Sequence, residues 1–248
     1  DFYDEGYDII FVDWEDGRDL IQNNSAVFTN ILNSINTMKA DNGSTESNKI
    51  IGLSMGGVIA KYTLRNMEIN NPTAANGGHD VDELITYDSP LRGANVPLGV
   101  QAMLDHLANF KLVPIAGDFI TLDRFVPVLK EKLEILDSPA SRQMTIFHLY
   151  DENQTDHNTF YNELATMGDL EHCTQHSISN GSMVGNSIFT GGSTIADGHA
   201  STANFLNIDF LNQEILFGIN LGDIISTLLF KIFQTGVLID INIKGMPN

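Results

Sequence analysis

Short apolar runs alternate with helical repeats along the first part of the chain. Tyr7 to Trp14 carries four consecutive apolar residues between aspartates, a pattern that predicts a central parallel strand covered on both faces. From Leu20 to Met38, apolar residues recur at intervals of three and four, which predicts an amphipathic helix. A polar loop follows this helix and leads to the next apolar run.

The same alternation continues through two further strands. Ile50 and Ile51 read as the end of a buried strand, and a helical apolar face runs from Gly57 towards Pro72. Proline disfavours helical geometry in the residue before it, so this helix should end near Asn70. Leu84 to Tyr87 forms the next predicted strand. The β-α-β-α-β succession predicts an α/β fold with a parallel sheet, whose function gathers at the carboxyl ends of the strands.

The pattern changes after the third strand. Leu98 to Phe110 and Val126 to Leu136 are helical stretches with no clear strand between them, which predicts an inserted helical cap. The apolar residues of this cap either form an acyl-binding cleft or pack the cap onto the body. Thr174 to Ser179 is the next strand candidate, and a strong turn signal follows it. The predicted parts are a core with residues 1–97, a helical cap with residues 98–147, and the remainder with residues 148–248.

A candidate nucleophile lies between the Ile50 strand and the helix that follows. Gly52-Leu53-Ser54-Met55-Gly56 has the G-x-S-x-G pattern. An abrupt turn from strand to helix forces the central serine into strained dihedrals, and glycines two positions to either side avoid a collision. The Ser54 hydroxyl should then stand above the sheet edge. The Met55 N–H, at the start of the helix, should point to the position where an oxyanion forms.

Composition excludes several other classes of protein. The 248 residues carry a net charge of −19, which argues against nucleic-acid partners and anionic membrane surfaces. Cys173 is the single cysteine, so an internal disulfide is excluded and a cysteine-based zinc site is disfavoured. The C-terminal apolar runs are too short and interrupted for a transmembrane segment. No phosphate-binding glycine loop precedes a helix, and we predict no cofactor and no metal.

Two motifs resemble the lipase-like branch of the α/β-hydrolases, which includes bacterial relatives of inositol-deacylating and lecithin:cholesterol acyltransferase-type enzymes. They are GLSMGG at Gly52 to Gly57 and ITYDSPLRGANVP at Ile85 to Pro97. The resemblance implies helices on both faces of a mostly parallel sheet, a serine nucleophile, and a secreted or cell-envelope location. Leu91 stands where the family usually has histidine. The oxyanion loop of the family follows an earlier strand, so the resemblance also implies a truncated fragment that lacks the second oxyanion donor.

A serine nucleophile requires a histidine base and a carboxylate that orients it. The order expected in this fold is serine, acid, histidine. His199 comes latest, in a predicted loop, and is the candidate base; the alternative is a base beyond Asn248. Asp88, at the carboxyl end of a strand, is the candidate acid because Asn180 occupies the more usual position. His79 and His106 follow the serine too soon, His148 and His157 lie at the far end of the cap, and His172 and His176 flank Cys173 beside a strand. For the acid, Asp151 and Asp156 remain alternatives, whereas Asp197 is disfavoured because it is too near His199 in the sequence.

The sequence therefore predicts a serine ester hydrolase of the lipase or esterase type, acting on a small-molecule or lipid ester through Ser54. Two alternatives stay open. In one, an alcohol replaces water and the protein is an acyltransferase. In the other, the chain is an inactive hydrolase-derived binding domain of a larger secreted protein. The oligomeric state is not predicted.

Overall fold

A computed structural model describes the chain over residues 4, 6–109, 111–115, 118–121, 127–180, 194–200, 214–216, 219–220 and 239–244. In chain order the helices are α1 (Ile21–Asp41), α2 (Met55–Asn70), α3 (Leu98–Ala108), α4 (Pro127–Leu136), α5 (Pro139–Met144) and α6 (Thr155–Met167). The strands are β1 (Asn48–Leu53), β2 (Val81–Tyr87), β3 (Lys111–Ile115), β4 (Asp118–Thr121), β5 (Thr174–Ile178), β6 (Thr194–Ala200), β7 (Glu214–Leu216), β8 (Ile219–Asn220) and β9 (Ile239–Lys244).

The chain divides into two compact units, each made of separate stretches of sequence. The division predicted from the sequence, into a core with residues 1–97, a cap with residues 98–147 and a remainder with residues 148–248, stays a prediction. The first unit contains Asp1–Ala94, Ser138–Met144 and Thr155–Asn180, and the second contains Asn95–Asp137, Thr145–Gln154 and Gly181–Asn248.

A three-stranded parallel sheet in the order β1-β2-β5 organises the first unit. The predicted strands before Ser54, before Asp88 and from Thr174 onward are confirmed, as is the end of α2 at Asn70. This small parallel sheet with its helices is an α/β arrangement. The buried apolar residues of the unit are Ile21, Phe28, Leu32, Val58, Ile59, Ala60, Tyr62, Leu64, Met67, Val81, Leu84, Ala140, Phe160 and Leu164.

The two faces of this sheet differ in exposure. Leu84 is fully buried, and the neighbouring inward position at Thr86 is 1% exposed. On the opposite face, Leu53 is 64% exposed and is the register partner of Tyr87, which in turn pairs with Ile178. Because side chains alternate along a strand, the residues on the helix side make the core and those on the other side contact solvent. Ile51, predicted to be buried, lies on this exposed face.

The prediction of a strand at Tyr7 to Trp14 is wrong for this structure. In the described part of the chain, the ladders of the parallel sheet join β1 to β2 and β2 to β5, and none includes these residues. Phe11 is 92% exposed, whereas Val12 and Trp14 pack against the core. A continuous apolar run indicates a tendency to be buried, but a strand also requires a neighbouring backbone to receive its hydrogen bonds.

The second unit contains helices and antiparallel strand pairs. Helices α3 and α4 confirm the two helical stretches predicted in the cap, but β3 and β4 form an antiparallel pair between them. The segment is therefore not purely helical. Pro114 lies in this two-stranded ladder, where a proline is tolerated because, within the described ranges, each strand pairs along one side only. No helix in the part of the chain described combines the length and the apolar character needed to cross a bilayer.

Candidate active site

Ser54 lies at the junction of β1 and α2 in a strained backbone conformation. Its φ of 48° and ψ of −123° fall outside the regions that residues with a Cβ ordinarily adopt. Such a conformation costs on the order of 1–3 kcal/mol and persists only where the surrounding contacts impose it. The side chain is exposed. The hydroxyl therefore stands on a sharp strand-to-helix turn, the geometry predicted from the G-x-S-x-G pattern.

Backbone hydrogen bonds hold this turn from both sides. The Ser54 N–H donates to the carbonyl of Tyr87 at 2.9 Å, which extends the pairing of β1 with β2 by one residue. The Gly57 N–H donates to the Ser54 carbonyl at 3.1 Å, in the first turn of α2. Ser54 thus makes one backbone hydrogen bond to β2 and another within the first turn of α2.

The structure assigns the steric role to Gly52 and Gly57. A Cβ on Gly52 would lie 2.5 Å from the Gly57 Cα, and a Cβ on Gly57 would lie 2.1 Å from the Ser89 Oγ. A Cβ on Gly56 would meet nothing within 4 Å outside its own helix. The expectation that glycine is needed at position 56 to avoid a collision is therefore wrong. The close approach involves the next residue, because α2 turns its Gly57 side towards the end of β1.

Met55 is the first residue of α2. The first N–H groups of a helix have no carbonyl acceptor within the helix, and the helix dipole favours negative charge at this end. The position of Met55 next to Ser54 agrees with the expected oxyanion donor, and that role stays a prediction. Its side chain packs against the core together with Trp14, so it anchors the start of the helix.

Asp88 follows β2 directly, as Ser54 follows β1. Because Leu53 and Tyr87 are register partners in a parallel pair, Ser54 and Asp88 come at the same edge of the sheet. Asp88 has a φ of 48°, and its N–H donates to the Ile178 carbonyl at 2.7 Å. Its carboxylate is on an exposed residue. The two candidate residues therefore share the carboxyl end of adjacent strands, each in a left-handed backbone conformation.

Ser89 and Tyr161 belong to this region and were missed by the sequence reasoning. The Ser89 Oγ donates to the Gly52 carbonyl at 3.3 Å and to the Tyr87 carbonyl at 3.4 Å. The Tyr161 hydroxyl, from α6, donates to the carbonyl of Pro90. The Asp88-Ser89-Pro90 sequence signals a turn and could have directed attention to Ser89. No local pattern identifies Tyr161, because α6 comes much later in the chain.

His199 lies in β6, where it is the register partner of Asp240 in β9. The expectation that it belongs to a loop is wrong. Glycine and aspartate beside it indicated a turn, but an antiparallel partner strand satisfies the backbone of this segment. The structure describes the backbone at position 199 and not the side chain, and this position belongs to the second unit. Its predicted role as the base stays a prediction.

Several alternative histidines have structural partners. His79 is fully buried, His148 Nε2 donates to the Leu136 carbonyl at 2.8 Å, and His157 Nδ1 donates to the Gln143 carbonyl at 3.0 Å. These contacts orient the three rings inside their units. The remaining alternatives are His106 on α3, His172 and His176 beside Cys173, Asp151 in a bridge to His148, Asp156 in the first turn of α6, and Asp197 in β6.

Asp16 and Cys173 are residues of types that can bind metals, and each has contacts within the chain. Asp16 accepts hydrogen bonds from the backbone N–H and the Nε of Arg18, at 3.1 and 3.2 Å. The Cys173 Sγ donates to the Thr174 carbonyl at 3.6 Å, and burial raises the pKa of the thiol to about 11. Within the described ranges, no group of three or more histidine, cysteine, aspartate or glutamate side chains could hold a metal ion.

Comparison of the chain with models of protein families, with curated proteins and with solved structures found no match.

Proposed function

We propose that this protein is a serine ester hydrolase of the lipase or esterase type, built on an α/β-hydrolase fold. The observation that carries the proposal is the conformation of Ser54, with φ 48° and ψ −123° on an exposed strand-to-helix turn. Backbone strain of this size is found preferentially at functional sites. The sequence around it, GLSMGG, has the small residues that this turn requires.

In the proposed reaction, the Ser54 Oγ attacks the carbonyl carbon of a small-molecule or lipid ester. A histidine base accepts the serine proton, and a carboxylate orients its imidazole and stabilises the charged form. His199 and Asp88 stay the residues predicted from the sequence for these two roles. The Met55 N–H donates to the oxyanion of the tetrahedral intermediate. Collapse of the intermediate expels the alcohol, which takes the proton from the imidazole. Water then attacks the acyl-enzyme, and the carboxylic acid leaves with Ser54 restored.

One observation favours a second candidate, a hydrolase-derived binding domain without a working triad. Asn180 lies just beyond the end of β5, the next strand of the sheet, and its Oδ1 accepts a hydrogen bond from the Tyr87 hydroxyl at 3.4 Å. An amide at this position cannot act as the carboxylate of a triad. Under this alternative, Ser54 keeps its strained turn but has no base that activates it.

Labelling with a fluorophosphonate, which reacts with activated serines, tests the proposal. In the full-length protein, the wild type should label, Ser54→Ala should not, and Ser44→Ala, a change in an exposed loop, should label at the wild-type rate. Circular dichroism of each variant establishes that it is folded. Absence of labelling in the folded full-length protein would reject the hydrolase proposal and favour the binding domain.

A further inference from the structure

The loop that follows Asp88 contacts the turn that carries Ser54, on the inner side of that turn. Ser89 Oγ donates to the Gly52 carbonyl at 3.3 Å, on the strand side of the turn. On the helix side, the space for the same hydroxyl exists because Gly57 has no Cβ, which would lie 2.1 Å from that oxygen. Ser89 therefore fills the inner angle between β1 and α2.

Backbone hydrogen bonds and packing restrain the residues that follow Ser89 in this loop. The Leu91 N–H donates to the Ser89 carbonyl at 2.8 Å, and the Gly93 N–H donates to the Pro90 carbonyl at 3.0 Å. The ring of Pro90 fixes its own φ, and Leu91 packs against the core. Because these contacts restrain the loop, we expect a shift of Pro90 to move Ser89 as well.

Tyr161 fixes the loop from α6. Its hydroxyl donates to the Pro90 carbonyl, and burial raises the pKa of Tyr161 to about 12. The hydroxyl consequently keeps its proton, and remains a donor, throughout the neutral range. The ring packs between His157, with centroids 4.6 Å apart, and Phe160, with centroids 5.0 Å apart. The position of the hydroxyl is therefore set by the packing of the ring.

We propose that Tyr161 is a positioning residue for Ser54, acting through Pro90 and Ser89 to hold the strained turn in its reactive geometry. The inference rests on the proposed serine hydrolase function. Its physical basis is that a strained conformation persists only when several contacts impose it together. Reactivity at a positioned nucleophile falls steeply with small displacements. Tyr161 does not contact the substrate in this proposal.

The test compares Tyr161→Phe with Tyr62→Phe in the full chain. Each change removes one hydrogen-bonded, partly buried tyrosine hydroxyl and keeps the ring. The Tyr62 hydroxyl also joins α2 to α6, through Glu163 at 2.5 Å, but does not contact the Ser89 loop. The measurements are the second-order rate of fluorophosphonate labelling and the Tm of each variant. We expect the labelling rate of Tyr161→Phe to be about tenfold lower than that of the wild type. The labelling rate of Tyr62→Phe should stay within about twofold of the wild-type rate, although both variants lose a similar amount of Tm.

A second variant, Ser89→Ala, removes the hydroxyl between β1 and α2 directly and should slow labelling in the same way. This variant keeps the test decisive if Tyr161→Phe does not fold. Wild-type labelling by Tyr161→Phe and Ser89→Ala, with labelling abolished in Ser54→Ala, would overturn the positioning role and leave the hydrolase proposal intact. Equal slowing in Tyr161→Phe and Tyr62→Phe would also overturn it, since only general stability would then be involved. A folded full-length protein that does not label rejects both proposals.

Discussion

The Nε2 of His79 lies 3.4 Å from the Oε1 of Glu68, and both side chains are enclosed in the first unit. The His79 Nδ1 accepts the N–H of Val81 at 3.0 Å, so Nε2 carries the proton and donates it to the carboxylate. Glu68 also accepts from the Arg65 guanidinium at 2.8 Å and from the His172 N–H at 2.8 Å. This buried carboxylate therefore ties α2 to the loops that precede β2 and β5.

We predict that this cluster makes stability fall as the pH is lowered. Burial lowers the pKa of His79 below its ordinary value. Below about pH 6.5, the unfolded chain binds a proton at this histidine that the folded chain binds only at lower pH, so acid favours unfolding. Urea unfolding between pH 8 and pH 5.5 should show this loss, at no more than about 1.4 kcal/mol per pH unit for the single proton.

The matched variant is His79→Asn, whose side-chain oxygen can still accept the Val81 N–H. Its free energy of unfolding should depend less on pH over the same interval. Equal slopes in the wild type and this variant would assign the pH dependence to other groups.

Replacing Glu68 by glutamine should destabilise the fold strongly. Burial acts to raise the pKa of Glu68, but hydrogen bonds from Arg65 and from the His172 and Glu171 N–H groups outweigh it and lower that pKa. Removing the charge takes the buried carboxylate away from the partly buried Arg65 guanidinium, which then keeps its ion pair with the exposed Glu171, at a cost of about 3 kcal/mol. Glu171→Gln is the control, because it breaks an ion pair with the same Arg65 at a side chain that is 66% exposed. It should cost less than about 1 kcal/mol, and similar losses in both variants would contradict this account.

The glycines at the Ser54 turn should respond differently to alanine. Gly52→Ala places a Cβ 2.5 Å from the Gly57 Cα, a backbone atom that cannot rotate away, and should cost about 3 kcal/mol, at the upper end of the range for overpacking. Gly56→Ala meets nothing within 4 Å outside α2 and should change stability by less than about 1 kcal/mol, in the stabilising direction because alanine favours a helix. Thermal unfolding of both variants measures the difference, and a costly Gly56→Ala would show that the turn is tighter than described.

Replacing Asp88 by asparagine tests the predicted triad acid. Asparagine tolerates the φ of 48° and keeps the N–H bond to the Ile178 carbonyl, so folding should be retained. Loss of the carboxylate that orients a base lowers turnover by about 10⁴-fold in serine hydrolases, and labelling should slow accordingly. Asp82→Asn, an exposed change on the same strand, is the control. Unchanged reactivity in Asp88→Asn would move the acid to Asp151, Asp156 or Asp197.

The two faces of the sheet give a stability prediction that does not depend on catalysis. Leu84→Ala removes a fully buried side chain and should cost about 2–5 kcal/mol. Leu53→Ala removes one that is 64% exposed and should cost less than about 1 kcal/mol. Urea unfolding compares the two, and equal losses would indicate that the exposed face is covered in solution.

How far the sequence predicts this structure depends on the range of the interaction. The strand before Ser54, the end of α2 near Pro72 and the parallel order of β1 and β2 follow from hydrophobic period, proline geometry and chain connectivity. The strain at Ser54 likewise follows from the short distance over which the chain must turn. The strand, the helix end and the strained turn depend on neighbours within a few residues, whereas the parallel order depends on the helical connection between β1 and β2.

By itself, then, the sequence determined α1, α2, the three strands of the parallel sheet and the position of the strained serine. Only the tertiary structure decided that the ladders described for the parallel sheet do not include residues 7–14, that Gly57 rather than Gly56 relieves the close approach, and that Tyr161 reaches Pro90. The reason is that local patterns specify dihedral angles and burial, whereas these contacts join segments far apart in the chain. Which segments meet is set by the packing of the whole unit.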